Sequence, residues 1–263
     1  MKKVKQLILL SIIGIGVSTF VYSRNATIAE AKEILGSDFL GPDEVNKVFG
    51  VIPTQELPFT RKEIMEIKRL GMILFPQIDK DNEGKPLTAE SIIKMFDNKF
   101  SDGKNDVLLM EYTSVREDEN GNPKLVHQDF NWHKNEDFYT KEILKTGWRV
   151  ISKNVLQVAD SKSYPVCVDL EKKFFQDSKL KTAEKNTGIS GVESIYFLVL
   201  FERVYGKILP NPIPFSFWIK SVTNHNLGIQ LYKVEGGPQS FGLVGVNQNQ
   251  PTVDNGIIPS FLK

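Results

Sequence analysis

The chain has 263 residues, with 33 basic and 32 acidic side chains, three histidines and one cysteine. Without residues 1–23, which hold three lysines and no acid, 30 basic and 32 acidic groups remain, a net of −2. That balance gives no field to hold the chain on nucleic acid or an anionic membrane surface, and a single cysteine excludes an internal disulfide.

The first element is an address. Lys2, Lys3 and Lys5 precede an uncharged, largely apolar run from Leu7 to Val21, which ends in Val-Tyr-Ser before Arg24. A basic start, a short apolar middle and small residues at a cut site are the parts of a secretory signal, with Val21 and Ser23 at −3 and −1. The uncharged stretch Gln6–Ser23 also approaches the roughly 17–25 residues that span a bilayer. Residues 1–23 therefore predict export, as a cleaved signal peptide or an N-terminal membrane anchor. The mature protein is then periplasmic, secreted or membrane-anchored, and touches the membrane only through residues 6–23 if they stay uncleaved. About 240 mature residues suffice for one large domain or two small ones.

Residues 24–47 read as helical, with Thr27, Ala29 and Glu30 opening the stretch, Gly36 breaking it and Gly41-Pro42 restarting it into Asp43–Phe49. Pro53 and Pro58 mark a loop. Thr60 with Glu63 three residues on forms a capping box for a helix to about Leu70. Gly71 stops it, and Met72–Ile78 is an apolar run suited to a buried strand. A polar turn, Asp79–Pro86, leads to an amphipathic helix from Thr88 to Phe100. Val107–Val115 and Leu125–Trp132 read as paired strands around Glu119-Asn-Gly-Asn-Pro123, because Asn-Gly suits the left-handed φ values of a tight hairpin. Gly147–Ser152 is a further strand, and Tyr164-Pro-Val-Cys-Val-Asp169 looks strand-like, with Cys167 as a small buried hydrophobe. Val192–Tyr205 is a clear helix stopped by Gly206. Leu209-Pro-Asn-Pro-Ile-Pro214 is a rigid extended joint. Beyond it the chain is rich in Gly, Asn, Val and Phe and alternates like strands. The predicted organisation is an α+β body over 24–208 and a β-rich segment over 209–263, packed on or following it.

Three groups of residues invite chemistry. Asp79, Asp81, Glu83 and Glu90 stand at positions 1, 3, 5 and 12 of a calcium-loop pattern, with Gly84 at position 6. The flanks differ from an EF-hand: Pro86 replaces the usual aliphatic residue, and Gly71 and Pro76 break the incoming helix. The alternative to a calcium site is a polar strand-to-helix turn capped by Thr88. Second, His127, Asp129, Asn131 and His133 alternate, so on a strand they share one face. Two such ligands fall short of a zinc set, and the plain reading is a solvated polar face. Third, Trp218 and Tyr232, with Phe215, Phe217 and Phe241, punctuate a run of Asn, Gln, Ser and Gly that includes His225 in Thr223-Asn-His-Asn226. Aromatics beside adaptable amides suit a sugar- or peptide-binding face, and the same residues equally suit a sheet core with polar turns. Gly188-Ile-Ser190-Gly191 lacks the spacing of a hydrolase elbow. Adjacency of Glu136 and Asp137 does not set an acid/base separation.

Leu57–Glu63, Asp79–Thr88, Asn135–Glu142, Gly147-Trp148 with Ser152-Lys153, and Leu209-Pro-Asn211 resemble stretches of a bacterial protein family of unknown function, covering roughly residues 40–215. That resemblance implies no catalytic residue. Phe217-Trp-Ile-Lys-Ser221 and the strands after it resemble the terminal segments of C-type-lectin-like domains, without their closing arginine-rich strand. The sequence as a whole predicts a non-catalytic extracytoplasmic binding or surface-interaction protein, with an extracellular or envelope ligand recognised by Trp218, Tyr232 and His225. The alternative is a secreted hydrolase in which two or more of His127, Asp129, His133 and Cys167 converge in a pocket.

Overall fold

The computed structural model describes residues 24–97, 114–117, 123–126, 132–154, 156–157, 163–180, 187–206, 216–222, 228–233, 241–246 and 255–263. The leader at 1–23, His127, Asp129, Asn131 and His225 lie outside the described residues. Among the described residues no helix is long and apolar enough to cross a membrane. The architecture is α+β, as the sequence predicts.

Three short helices open the chain: α1 (Ile28–Leu35), α2 (Pro42–Phe49) and α3 (Arg61–Arg69). Each starts where its residues satisfy the orphan backbone donors of a first turn. Thr27 Oγ1 accepts the Glu30 N–H at 3.1 Å while Glu30 Oε2 accepts the Thr27 N–H at 2.8 Å. Thr60 and Glu63 repeat the arrangement at 3.3 and 2.8 Å, as expected of that capping box. Pro42 at the head of α2 lacks an N–H that would have no helical partner there anyway.

Strand β1 (Met72–Gln77) is buried along its whole length. It pairs antiparallel with β4 (Gly147–Ser152), which pairs in turn with β10 (Ser260–Leu262), giving the order β1-β4-β10. Pro76 is tolerated because β1 is an outer strand and the N–H that proline lacks is not needed for the ladder. Both faces of the sheet are covered. Met72, Leu74, Trp148, Val150 and Phe261 meet α1, α3 and Phe175 on one side. Ile73, Phe75 and Ile151 on the other meet α2, helix α4 (Ala89–Met95) and helix α7 (Gly191–Tyr205). Burial on two faces is why β1 reads as a continuous apolar run rather than an alternation.

Between these elements lie the hairpin β2 (Ser114–Glu117) and β3 (Pro123–Val126), a 3-10 turn (Trp132–Asn135) and the short helix α5 (Asp137–Thr140). A hairpin brackets Asn120-Gly121, but of the expected strands Val107–Val115 and Leu125–Trp132 only Ser114-Val115 and Leu125-Val126 fall in β2 and β3. Residues 107–113 and 127–131 lie outside the described residues, and Pro123, expected in the turn, is paired. Trp132 and His133 sit in the 3-10 turn rather than in a strand, and His133 is buried with its ring 4.7 Å from that of Tyr139.

A second sheet has the order β5-β9-β6-β7-β8, from β5 (Leu156–Gln157), β6 (Ser216–Val222), β7 (Gly228–Lys233), β8 (Phe241–Val246) and β9 (Asn255–Ile257). The β-rich character predicted for the last fifty residues is present. Body and tail also interlock: β5 joins the second sheet, whereas β10 crosses back to the first.

One local expectation fails. Tyr164–Asp169 is not a strand but the first half of helix α6 (Tyr164–Gln176), with Ser163 as N-cap and Pro165 in the first turn. Valines beside cysteine favour a strand, yet proline in the opening turn is pre-set for helix. Cys167 is nonetheless fully buried, against Ile257.

The final strand carries much of one core. Phe261 is 1% exposed and packs edge-on against Phe175 and Phe59, with centroids 5.4 and 6.0 Å apart. Lys263 adds an ion pair to Glu63 at 2.7 Å and lies over the Phe59 ring at 4.7 Å. Phe261→Ala should lower the free energy of unfolding by about 3–5 kcal/mol, since truncating a buried aromatic loses transfer energy and leaves a cavity. Urea denaturation measures it, and a loss below about 1 kcal/mol would mean that β10 does not close this core.

Candidate functional site

The Gly-Ile-Ser-Gly stretch, which fails as a hydrolase elbow, is the N-terminal cap of α7. Ser190 is the N-cap, its Oγ accepting the Glu193 N–H at 3.4 Å while Glu193 Oε2 accepts the Ser190 N–H at 2.8 Å. Glu193 uses its other oxygen on Arg149, whose Nη2 donates to Oε1. Arg149 Nη1 donates to the Gly188 carbonyl at 2.9 Å. Both side chains are buried: Arg149 is 2% exposed and Glu193 6%. One ion pair therefore pins the central strand of the first sheet to the head of α7.

A cleft of about 540 Å³ opens over this joint. Helix α5 and the segment after it supply Asp137, Lys141, Glu142, Ile143 and Lys145; β4 supplies Arg149; the α7 cap supplies Gly188, Ser190 and Glu193; β6 supplies Lys220 and Ser221. Close packing builds the wall. A Cβ on Gly191 would stand 2.9 Å from Cδ2 of Phe138, so only glycine lets α5 approach α7 this closely. The Gly191 N–H donates to Ser221 Oγ at 2.8 Å, and the Ser221 hydroxyl donates to Glu142 Oε2 at 2.7 Å. The serine thus ties β6 to α7 through Gly191 and to the segment after α5 through Glu142.

The charges around the cleft are unevenly matched. Asp137 pairs with Lys141 at 2.9 Å, and Glu193 with Arg149. Lys145 and Lys220, both exposed, form no ion pair with any described residue. Strand register puts Gln77, Arg149 and Ser260 on the same face of the first sheet, beneath α7. The Gln77 amide, Arg149 Nε and Ser260 Oγ are buried without a hydrogen-bond partner among the described residues. Buried polar atoms of this kind usually cost about 1–3 kcal/mol each, so they mark a region where polarity is tolerated.

Beneath the cleft lies Glu171 of α6, 1% exposed. Its Oε1 accepts the Ser260 N–H at 2.9 Å and the Gly188 N–H at 3.2 Å. Burial pushes its carboxyl up to about 7, against the pull of those two N–H groups, Arg149 and Lys220. Burial also pulls the Arg149 guanidinium down, opposed by Glu193.

The residues singled out from sequence are distributed elsewhere. Asp81 Oδ1 accepts the Glu83 and Lys85 N–H groups at 2.9 and 2.8 Å, Glu83 pairs with Lys85 at 2.5 Å, and Glu90 pairs with Lys94 at 2.8 Å. Together with the Lys80–Pro86 bridge and Gly84 at φ +80°, this is a self-satisfied polar turn. Asp79, Asp81, Glu83 and Glu90 are not gathered: among the described residues no three His, Cys, Asp or Glu side chains converge as a metal site. His133 and Cys167 do not line the cleft. Burial pushes the Cys167 thiol up to about 11, which suppresses thiolate chemistry. Trp218 and Tyr232 occupy positions on one face of the second sheet by register, opposite Gln230 and Ser216 respectively; their side chains lie outside what is described.

Arg149, Glu193 and Glu171 carry no local signature of a site. Ser190-x-x-Glu193 before an apolar run is a capping box of the same form as Thr60-x-x-Glu63, and that signal alone locates the head of α7.

Removing Arg149 should expose how the joint is held. Arg149→Met leaves the Glu193 carboxylate buried without its cation, and should cost about 3–5 kcal/mol of stability by urea denaturation. A cost near zero would show that water reaches the pair freely. Glu171 sets a pH dependence of defined sign. Its carboxyl is raised from the usual 4.5 to about 7, so its contribution to stability is intact below about 4.5 and is lost as pH rises through 7. Each tenfold change in proton affinity is worth about 1.4 kcal/mol, so the loss between about pH 5 and pH 9 is about 2–3 kcal/mol. Glu171→Gln keeps an oxygen for the two N–H groups and should show a correspondingly smaller decline over that range. Equal declines in the two proteins would exclude Glu171 as the group responsible.

No protein-family model, no curated protein and no solved structure matches this chain.

Proposed function

We propose that this is an exported, non-catalytic binding protein whose ligand is a small polar molecule held in the cleft above the Arg149–Glu193 pair. The observation that carries this reading is the cleft itself. Its volume of about 540 Å³ falls within the range of small-molecule sites, roughly 300–1,000 Å³. Charged and hydroxyl side chains line it beside Phe138, Ile143 and Leu262, which suits a polar ligand with some apolar surface of its own. The β-rich tail takes part, since β6 brings Lys220 and Ser221 to the wall. The same strand carries Trp218, so recognition extending onto the second sheet belongs to this proposal. Chemistry on the ligand has less support. Ser221 is committed to Glu142 and to the Gly191 N–H, and no histidine or cysteine lines the cleft among the described residues. Export rests on the lysine-led apolar leader, and sequencing the mature N-terminus from the producing cell tests that part separately.

Thermal-shift titration of the mature chain with sugars, amino acids, small carboxylates and inorganic oxyanions tests the cleft. At least one class should raise the melting temperature in a concentration-dependent manner. Ile143→Trp, which adds bulk without charge at an exposed position on the rim, should abolish that rise while leaving the unliganded melting temperature within about a degree, as expected for a surface change. The proposal fails if no class shifts the wild-type protein, or if the shift survives Ile143→Trp.

A further inference from the structure

Among the described residues, two ammonium groups, Lys145 and Lys220, stand at the cleft wall without an ion pair, against one carboxylate, Glu142, that is held only by the Ser221 hydroxyl. Arg149 lies at the floor, paired to Glu193 and with its Nε buried. Gly188 is where these meet Glu171. A Cβ built on Gly188 would stand 3.6 Å from Cβ and Cδ of Lys220 and 3.9 Å from Glu171 Oε2, so the lysine stem and the carboxylate flank one cleft residue. Glu171 already shows what this corner recognises: a carboxylate that accepts two backbone N–H groups, with a guanidinium and an ammonium nearby.

We propose that the Lys220 end of the cleft is a subsite for the carboxylate of a small acidic molecule, and that Glu171 is a resident competitor for the same positive charge. This deepens the binding-protein reading above and rests on it. When Glu171 is neutral, the Lys220 ammonium is free to face the incoming carboxylate, while Arg149 stays bonded to Glu193 and the Gly188 carbonyl and adds only its field. When Glu171 is ionised, part of their field is already used, and a second carboxylate meets a like charge. Binding therefore takes up a proton at Glu171, and affinity falls as pH rises.

The other groups facing Glu171 do not reverse this sign. From its own helix come Tyr164 and Cys167, both neutral over the relevant range because burial raises them. From β4 comes Arg149, and from α7 Glu193, which is committed to Arg149 and to the Ser190 N–H. From β6 comes Lys220, and β10 contributes only the Ser260 N–H.

The test is isothermal titration of the mature chain with tartrate, which is ionised throughout, at about pH 6 and about pH 8.5 and constant ionic strength. Sulfate and chloride serve as parallel probes. Tartrate should bind about tenfold more tightly at the lower pH, as expected when the bound carboxylate strengthens the hold of Glu171 on its proton by about that factor. Glu171→Gln should bind tartrate with the same affinity at both pH values. Lys220→Gln should weaken it several-fold at the lower pH. Sulfate binding as tightly as tartrate would overturn the assignment of a carboxylate subsite. Tartrate binding that lacks pH dependence, or keeps it in Glu171→Gln, would overturn the role of Glu171 while leaving the cleft reading intact. If tartrate does not bind at either pH but another class from the thermal-shift panel does, the subsite is wrong and the binding protein stands; if nothing binds, both fall.

Discussion

A single arginine in the middle strand of a three-stranded sheet sets the terms for this molecule. Arg149 lies between Phe75 on one neighbouring strand and Leu262 on the other, in a layer where Gln77 and Ser260 are the other polar side chains from the three strands. A guanidinium buried there is tolerable only if carboxylate and carbonyl partners are delivered to it with good geometry. Glu193 and the Gly188 carbonyl deliver them, and both belong to the approach into α7. The helix can thus dock in one register and direction. Glu193 is doubly constrained, since the same carboxylate closes the helix cap through the Ser190 N–H. Local capping and tertiary ion pairing are solved by one side chain.

From that joint the cleft follows as geometry. Once α7 is fixed over β4, Gly191 admits Phe138 of α5 on one side, and Ser221 ties β6 on the other. The gap between α5 and β6 is left open, with charge at its base. Ion pairing that arranges a fold and charge that meets a ligand are here adjacent uses of the same few residues. That adjacency explains why the polar groups under α7 are concentrated at one end of an otherwise apolar core.

Sequence reasoning sees this fold unevenly, for physical reasons. Short-range signals survive well. Thr27-x-x-Glu30 and Thr60-x-x-Glu63 start helices because the satisfaction of a first turn is decided within four residues. Met72–Gln77 is legible because a strand buried on both faces must be apolar throughout. Tyr164–Asp169 misleads because β-branched residues and a proline give opposite signals, and packing against Ile257 resolves the contest in favour of helix. Asp79–Glu90 carries the spacing of a calcium loop, while in the structure Asp81 accepts backbone N–H groups of its own turn, a local bond that spacing alone does not reveal. The cleft is illegible beforehand. Arg149, Glu171, Glu193 and Lys220 are separated by tens of residues, and nothing local distinguishes them from ordinary surface charge.

The return of β10 to the first sheet has a consequence for how the chain reaches its native state. β4 waits for a partner whose residues are made about a hundred positions later, and the hole between Phe59 and Phe175 is filled only by Phe261. Contacts this distant in sequence demand closure of a very long loop before they return any stabilisation. A growing polypeptide of this sequence keeps an open edge on β4 and an unplugged aromatic nest until Phe261 has been made.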